Sequence, residues 1–168
     1  MYDSEPSDLR LVGVDDATLE ALVHVATTDA LANEVTPPLT EGGEWSPTRV
    51  AWLRDYHVGC RAGLAGPRRE ATWAVVSHDE VQGAVRLART SEANTRETGI
   101  WLAGSARGKG LGKEATRLVL QEARFLGYAR VIADTAATNT AATRLLKAGG
   151  FTLEEADTSH RVGASIVL

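Results

Sequence analysis

The stretch GIWLAGSARGKGLGKEATRLVLQEARFLGYARVIAD, residues 99–134, constrains the fold more than any other part of the chain. An apolar run from Gly99 to Gly104 enters a basic, glycine-rich loop, a segment of helical periodicity follows, and a second apolar run spans Arg130 to Asp134. Strand, loop, helix and strand in this order make a right-handed βαβ unit, whose helix N-terminus faces outward at the carboxyl edge of the sheet. In the helical segment Leu111, Ala115, Leu118, Val119, Phe125 and Leu126 mark one apolar face, which Gly127 closes.

That placement gives the loop RGKGLGKEA, residues 107–115, its physics. A helix N-terminus leaves about four backbone N–H groups unpaired and carries roughly half a positive charge, so it attracts anions. Glycines let the backbone turn tightly and approach a phosphate with no Cβ in the way. Arg107, Lys109 and Lys113 add formal charge, and from Gly104 to Arg130 the basic residues exceed the acidic ones by four. A phosphorylated ligand is expected. The loop is no Walker A motif, because position 107 is arginine and Glu114 stands where a magnesium-binding hydroxyl belongs. Gly110, Gly112 and Ala115, with Asp134 further on, do meet a dinucleotide fingerprint, although the segment GSARGK separates the glycines from the strand. On the residues alone a dinucleotide stays open beside other phosphorylated ligands.

The rest of the chain alternates between elements. Leu9 to Val14 reads as a first strand, and Asp15 begins a helix with apolar Leu19, Leu22, Val23 and Ala26. TPPLTEGGEWSP, residues 36–47, reads as a flexible connection. Ser46 and Pro47 start a second helix through Val50, Leu53, Tyr56 and Cys60. Trp73 to Val76 and Val81 to Leu87 form a hairpin around SHDE, with His78 a solvated turn residue. Thr140 to Ala148 is a short helix, and Phe151 to Leu153 and Ala164 to Leu168 are the last strands. Cys60, the only cysteine, reads as a small buried hydrophobe, so neither an internal disulfide nor a cysteine metal site is expected.

At 168 residues and 43% hydrophobic content the expectation is one domain spanning residues 1–168. No apolar run approaches the ~18 residues of a membrane helix and the acidic start lacks a signal-peptide pattern, so a cytoplasmic protein without membrane association is expected. Aromatics are only 5% and the basic patch is local, which disfavours nucleic acid as a partner. Residues 1–45 hold ten acids (Asp3, Glu5, Asp8, Asp15, Asp16, Glu20, Asp29, Glu34, Glu41 and Glu44) against Arg10 alone. A chain this polarised is expected to present an anion-attracting face and a cation-attracting face, the alternative for either patch being a solvated surface.

Arg107 through Gly112 also read R-x-x-G-x-G after a strand, and in this the chain resembles the GNAT superfamily of N-acetyltransferases. ETGIWLAGSARGKGLGKEA resembles that superfamily's fourth strand, pyrophosphate loop and third helix, and NTAATRLLKAGGF resembles its N-x-x-[AS] segment ending in G-F. The chain is most similar to the branch containing ribosomal-protein alanine acetyltransferases. The resemblance implies an α/β (α+β) fold, with a mixed central sheet of about six to seven strands, about four helices and a V-shaped splay between the fourth and fifth strands. It implies acetyl-CoA as cosubstrate, no metal, an amine acceptor, and a monomer or homodimer. Backbone amides of Arg107, Gly108, Lys109, Gly110, Leu111, Gly112 and Lys113 would bind the CoA pyrophosphate. Ile100, Trp101, Leu102 and Ala103 would pair with the pantetheine arm and polarise the thioester, and Asn139, also a good N-cap for Thr140, would reach the pantetheine.

Amine acetylation needs a base above all, since a primary amine of pKa ~10 is mostly protonated at neutral pH. Glu97 matches the branch's carboxylate base and otherwise reads as a solvated glutamate at a strand start. His160 is a weaker candidate, and His24 and His57 fall on helices. The tyrosine that many members carry as general acid, seven residues beyond the asparagine, is Leu146 here; Thr143 on the same helix is not assigned the role. A non-catalytic acyl-CoA-binding module is therefore the alternative to an enzyme. The acidic N-terminal region is expected to flank the acceptor groove and to favour a cationic acceptor such as a polyamine, an aminoglycoside-like amine or a basic peptide N-terminus.

Overall fold

A computed structural model describes residues 8–155 and 158–168, so Asp3 and Glu5 of the acidic stretch lie outside the described residues. The strands are β1 (Arg10–Gly13), β2 (Glu70–Ser77), β3 (Glu80–Arg89), β4 (Thr95–Leu102), β5 (Arg130–Ala136), β6 (Thr152–Leu153) and β7 (Arg161–Val167). They form one seven-stranded sheet in the order β1-β2-β3-β4-β5-β7-β6. Among the described strands only β4 and β5 pair in parallel, joined by the crossover that residues 99–134 encode. This mixed sheet excludes the doubly wound parallel sheet a dinucleotide fold requires, and Asp134 is engaged by Arg161, whose Nε lies 2.9 Å away.

Helices α1 (Asp16–Asp29), α2 (Ala32–Val35), α3 (Pro47–Cys60), α4 (Leu111–Phe125) and α5 (Thr140–Ala148) surround the sheet. The extra helix beyond the expected four is α2, a single turn too short to leave a periodic pattern. Asp15, Ser46 and Asn139 cap α1, α3 and α5 by accepting the amides of Thr18, Arg49 and Ala142. Among the described residues no helix is long and apolar enough to cross a membrane.

Strand alternation divides the core in two. Val75, Val85 and Leu87 pack with Ala115, Val119 and Ala123 of α4 on one face of the sheet. Ala74, Val76 and Ala84 on the other face pack with Leu22 and Ala26 of α1 and Leu53 of α3. The expected apolar face of α4 is corrected at its end. Phe125 is 85% exposed and Leu126 42%, because Phe125 stands about 200° around the helix from buried Ala123.

Several boundaries also move. β2 and β3 run longer than expected, and their turn shrinks to His78 and Asp79, both at positive φ (51° and 62°), as a two-residue hairpin demands. β4 begins at Thr95, four residues before Gly99, and β7 at Arg161. Residues 36–46 carry no strand, yet they are tied down where a flexible connection was expected. Fully buried Arg49 donates to Thr36 Oγ1 (3.1 Å), Thr40 Oγ1 (3.1 Å) and the Gly42 carbonyl (2.9 Å), and the Trp45 indole donates to Ala30 O (2.9 Å). Cys60 is 3% exposed, and burial pushes its thiol up to about 11.

Candidate active site

The parallel pairing of β4 with β5 covers Thr95, Arg96 and Glu97 and then stops, while β4 stays hydrogen-bonded to β3 as far as Leu102. From Thr98 onward the two strands splay. Ala103 N donates to Gln82 O on the β3 side, so the alternation of the ladder turns the peptide groups of Ile100 and Leu102 toward the open gap and that of Trp101 toward β3.

The glycine loop leaves this gap and delivers the N-terminus of α4. Gly108 and Gly110 sit at φ 74° and 78°, and Gly110 occupies the N-cap position with no side chain to accept the first amides of the helix. Gly112 has a different reason to lack a side chain, since a Cβ there would press on Leu145 Cδ1 (3.3 Å) and Leu102 Cδ1 (3.4 Å). Leu111 is partly covered, and Lys109 and Lys113 are exposed.

Arg107 is engaged within the protein by both its amide and its guanidinium. Its amide closes a turn onto the Gly104 carbonyl (3.3 Å), and its guanidinium bonds Glu34 Oε2 (2.6 Å) and the Leu102 carbonyl (3.3 Å). A second clasp adjoins it, because Asp29 accepts from both the Ser105 hydroxyl (2.6 Å) and amide (3.0 Å), which holds its carboxyl below the usual range. The loop is therefore bolted to α1 and α2 through Ser105 and Arg107.

On the opposite face of the sheet lies a cavity of about 550 Å³, within the range of small-molecule sites. Register explains its lining. Glu70, Ala88 and Glu97 form one cross-strand row, Thr72, Arg86 and Gly99 the next, and Ala74, Ala84 and Trp101 a third, all on the same face. Trp52, Tyr56 and His57 of α3 cover these rows, with the Trp52 and Tyr56 rings stacked at 4.9 Å. Ile100 reaches both the cavity and the splayed gap, so the two meet at the middle of β4.

Glu97 lies inside β4, half-buried and ion-paired to Arg86, which corrects the picture of a solvated glutamate at a strand start. Burial alone would lower the Arg86 pKa, but the hydrogen bond it donates to Glu97 and the charges of Glu97 and Glu70 raise it overall. Tyr56 Oη donates to Glu70 Oε2 (2.6 Å), and burial together with that carboxylate pushes the phenol upward. His57 is 2% exposed, its Nδ1 is 3.0 Å from Thr72 Oγ1, and burial lowers it to about 4. It is neutral and proton-poor at physiological pH. His160 stands exposed at the start of β7, and His24 is exposed on α1; neither lines the cavity.

Glu70, Arg86 and Trp52 line the cavity without any local motif that signals them in the sequence. The acidic stretch of residues 1–45 is divided between the cavity and the outer surface. Of its described members only Glu34 lines the cavity, whereas Asp16 and Glu20 pair with Arg61 and Arg54 on the surface. Asn139 Oδ1 is engaged in capping (3.0 Å from Ala142 N), Thr143 Oγ1 donates to Thr140 O, and Leu146 is buried in the core with α4. Among the described residues no cluster of three or more His, Cys, Asp or Glu could hold a metal.

Residues 8–152 match a family model described as an acetyltransferase (GNAT) domain. A sequence search of curated proteins finds no match. Among solved structures the chain is similar to the Salmonella typhimurium acetyltransferase that modifies the N-terminal serine of ribosomal protein L7/L12, at 15% identity and TM-score 0.78, covering 97% of this chain and 96% of that one. It is similar to the GNAT domain of S. lividans PAT at 17% identity and TM-score 0.73, covering 99% and 93%. It is also similar to spermidine N-acetyltransferase from Vibrio cholerae, solved with CoA and spermine, at 18% identity and TM-score 0.71, covering 95% of each chain. At these identities the structural likeness is one of fold.

Proposed function

The chain belongs to the GNAT acetyltransferase family, and on that premise we propose that it works as a single domain moving an acetyl group from acetyl-CoA to a primary amine held in the cavity beside Glu97. The observation that carries this reading is the junction at the middle of β4. There a splayed strand edge, an uncapped helix N-terminus and a carboxylate-lined cavity converge. The amides of Gly108 to Lys113 suit a pyrophosphate by conformation, and Lys109 and Lys113 add charge, while Arg107 holds the loop in place. The edge at Ile100 to Ala103 suits the pantetheine arm, with Asn139 contributing through its NH₂ group, its oxygen being engaged as a cap.

The Glu97 carboxylate takes a proton from the acceptor ammonium, directly or through a water. The freed nitrogen lone pair attacks the thioester carbonyl carbon, and charge developing on the oxygen meets an N–H of the β4 edge that points into the gap. The carbon–sulfur bond then breaks. The second nitrogen proton of the tetrahedral intermediate passes to solvent, and because Leu146 has no proton to give, sulfur leaves as thiolate, which a thiol pKa near ~8.5 permits. Glu34, Glu70 and Glu97 against Arg86 and Arg89 give the cavity a mild preference for a cationic acceptor, and Trp52 offers an aromatic wall.

Thiol release from acetyl-CoA over a panel of amines tests the proposal, and turnover with at least one amine is expected. The core position of Leu146 favours the other reading, a non-catalytic acyl-CoA-binding module. That reading holds if acetyl-CoA raises the melting temperature while no amine, neutral or cationic, gives thiol.

A further inference from the structure

Arg86 stands in the second cross-strand row, opposite Gly99, yet its guanidinium reaches Glu97 in the neighbouring row. Its path runs past position 99, which has no side chain to crowd it. A Cβ built there would lie 2.9 Å from Arg86 Nε and 3.6 Å from both Cγ and Cζ. On the far side of Arg86 lies Glu70, which shares the row of Glu97 and already accepts from Tyr56 Oη at 2.6 Å. Arg86 thus sits between two carboxylates and takes the one not engaged by tyrosine.

We propose that Arg86 is a positioning residue for the acetyl transfer: it fixes the Glu97 carboxylate at the junction of cavity and splayed gap, and Gly99 is the opening that lets it do so. The inference rests on Glu97 serving as the base. A glutamate has three side-chain torsions, and leaving it unpartnered on a strand would spread the carboxylate over several rotamers. The guanidinium is planar and half-buried beneath the cavity, so it holds one orientation where lysine, a point charge on a flexible stem, cannot. Misplacing a catalytic group by about 1 Å costs up to ~100-fold in rate.

The test is a double-mutant cycle in the full chain, with acetyl-CoA thermal shift confirming folding and cosubstrate binding in each variant. Arg86→Gln is expected to lower kcat by about tenfold or more with the KM for acetyl-CoA unchanged, and Arg86→Lys to recover only part of that. Gly99→Ala, which keeps the arginine but obstructs its path, should show a smaller loss of the same kind. In a Glu97→Gln background, Arg86→Gln should cause no further loss. An impaired Glu97→Gln beside a silent Arg86→Gln, a loss confined to KM, or losses that multiply fully in the double variant would overturn the positioning role alone. A silent Glu97→Gln would overturn the base assignment and the inference with it.

Discussion

Arg107 donates to Glu34 at 2.6 Å and to the Leu102 carbonyl at 3.3 Å, so the arginine that opens the glycine loop clamps the loop to α2. Both partners of the ion pair are about a third to a half exposed, which limits its strength to roughly 0.2–1 kcal/mol and makes it salt-sensitive. Arg107→Gln and Glu34→Gln should each lower stability slightly and show a coupling of that size in denaturant titrations at low salt, fading at high salt. Acetyl-CoA affinity should fall by less than about fivefold in Arg107→Gln, the equivalent of ~1 kcal/mol. A tenfold or larger fall, with Glu34→Gln silent, would instead make Arg107 a direct anion ligand.

Gly110 has nothing within 4 Å of a prospective Cβ, so only its φ of 78° resists substitution. Gly110→Ala should cost about 1–2 kcal/mol or shift the loop, and it should weaken CoA binding in calorimetry; Gly110→Asn should be milder, since asparagine tolerates the left-handed region. Alanine and asparagine variants that bind CoA as tightly as the wild type would contradict the cradle geometry.

Those glycines were legible because backbone conformation is written in residue type, and so were the caps at Asp15, Ser46 and Asn139 and the βαβ unit around α4. The cavity was harder to read. Its floor alternates Glu70 and Thr72 with core residues along β2, and Glu97 and Gly99 along β4, so an interior polar face looks in sequence like a solvent face. This is also why β4 was expected to start at Gly99, its first four residues TRET reading as surface. Arg49 and Arg86 follow the same logic, since partners such as Thr36, Gly42 and Glu97 are chosen by tertiary contacts that no local pattern records.

His57 gives the fold a distinct acid sensitivity. The unfolded side chain takes up its proton near 6.5 and the buried one only near 4, so the unfolded state binds more protons between those values. Stability is therefore full above pH 6.5, declines as pH falls toward 4 by about 3 kcal/mol, and levels off below. Unfolding free energies measured across this window should show the decline in the wild type and lose most of it in His57→Phe. Identical pH profiles for the two proteins would contradict the buried, neutral state of His57.

In the proposed function the splayed edge and loop hold acetyl-CoA while Glu97 accepts the proton of the amine. Glu97→Gln keeps the size and polarity of the side chain and removes its basicity, so the most direct measurement is the steady-state rate of thiol release by this variant with an amine that the wild type acetylates. Losing general-base assistance is expected to lower kcat by about 10²–10⁴-fold, with the melting-temperature rise produced by acetyl-CoA preserved. A variant that binds acetyl-CoA and turns over within a fewfold of the wild-type rate would contradict the account.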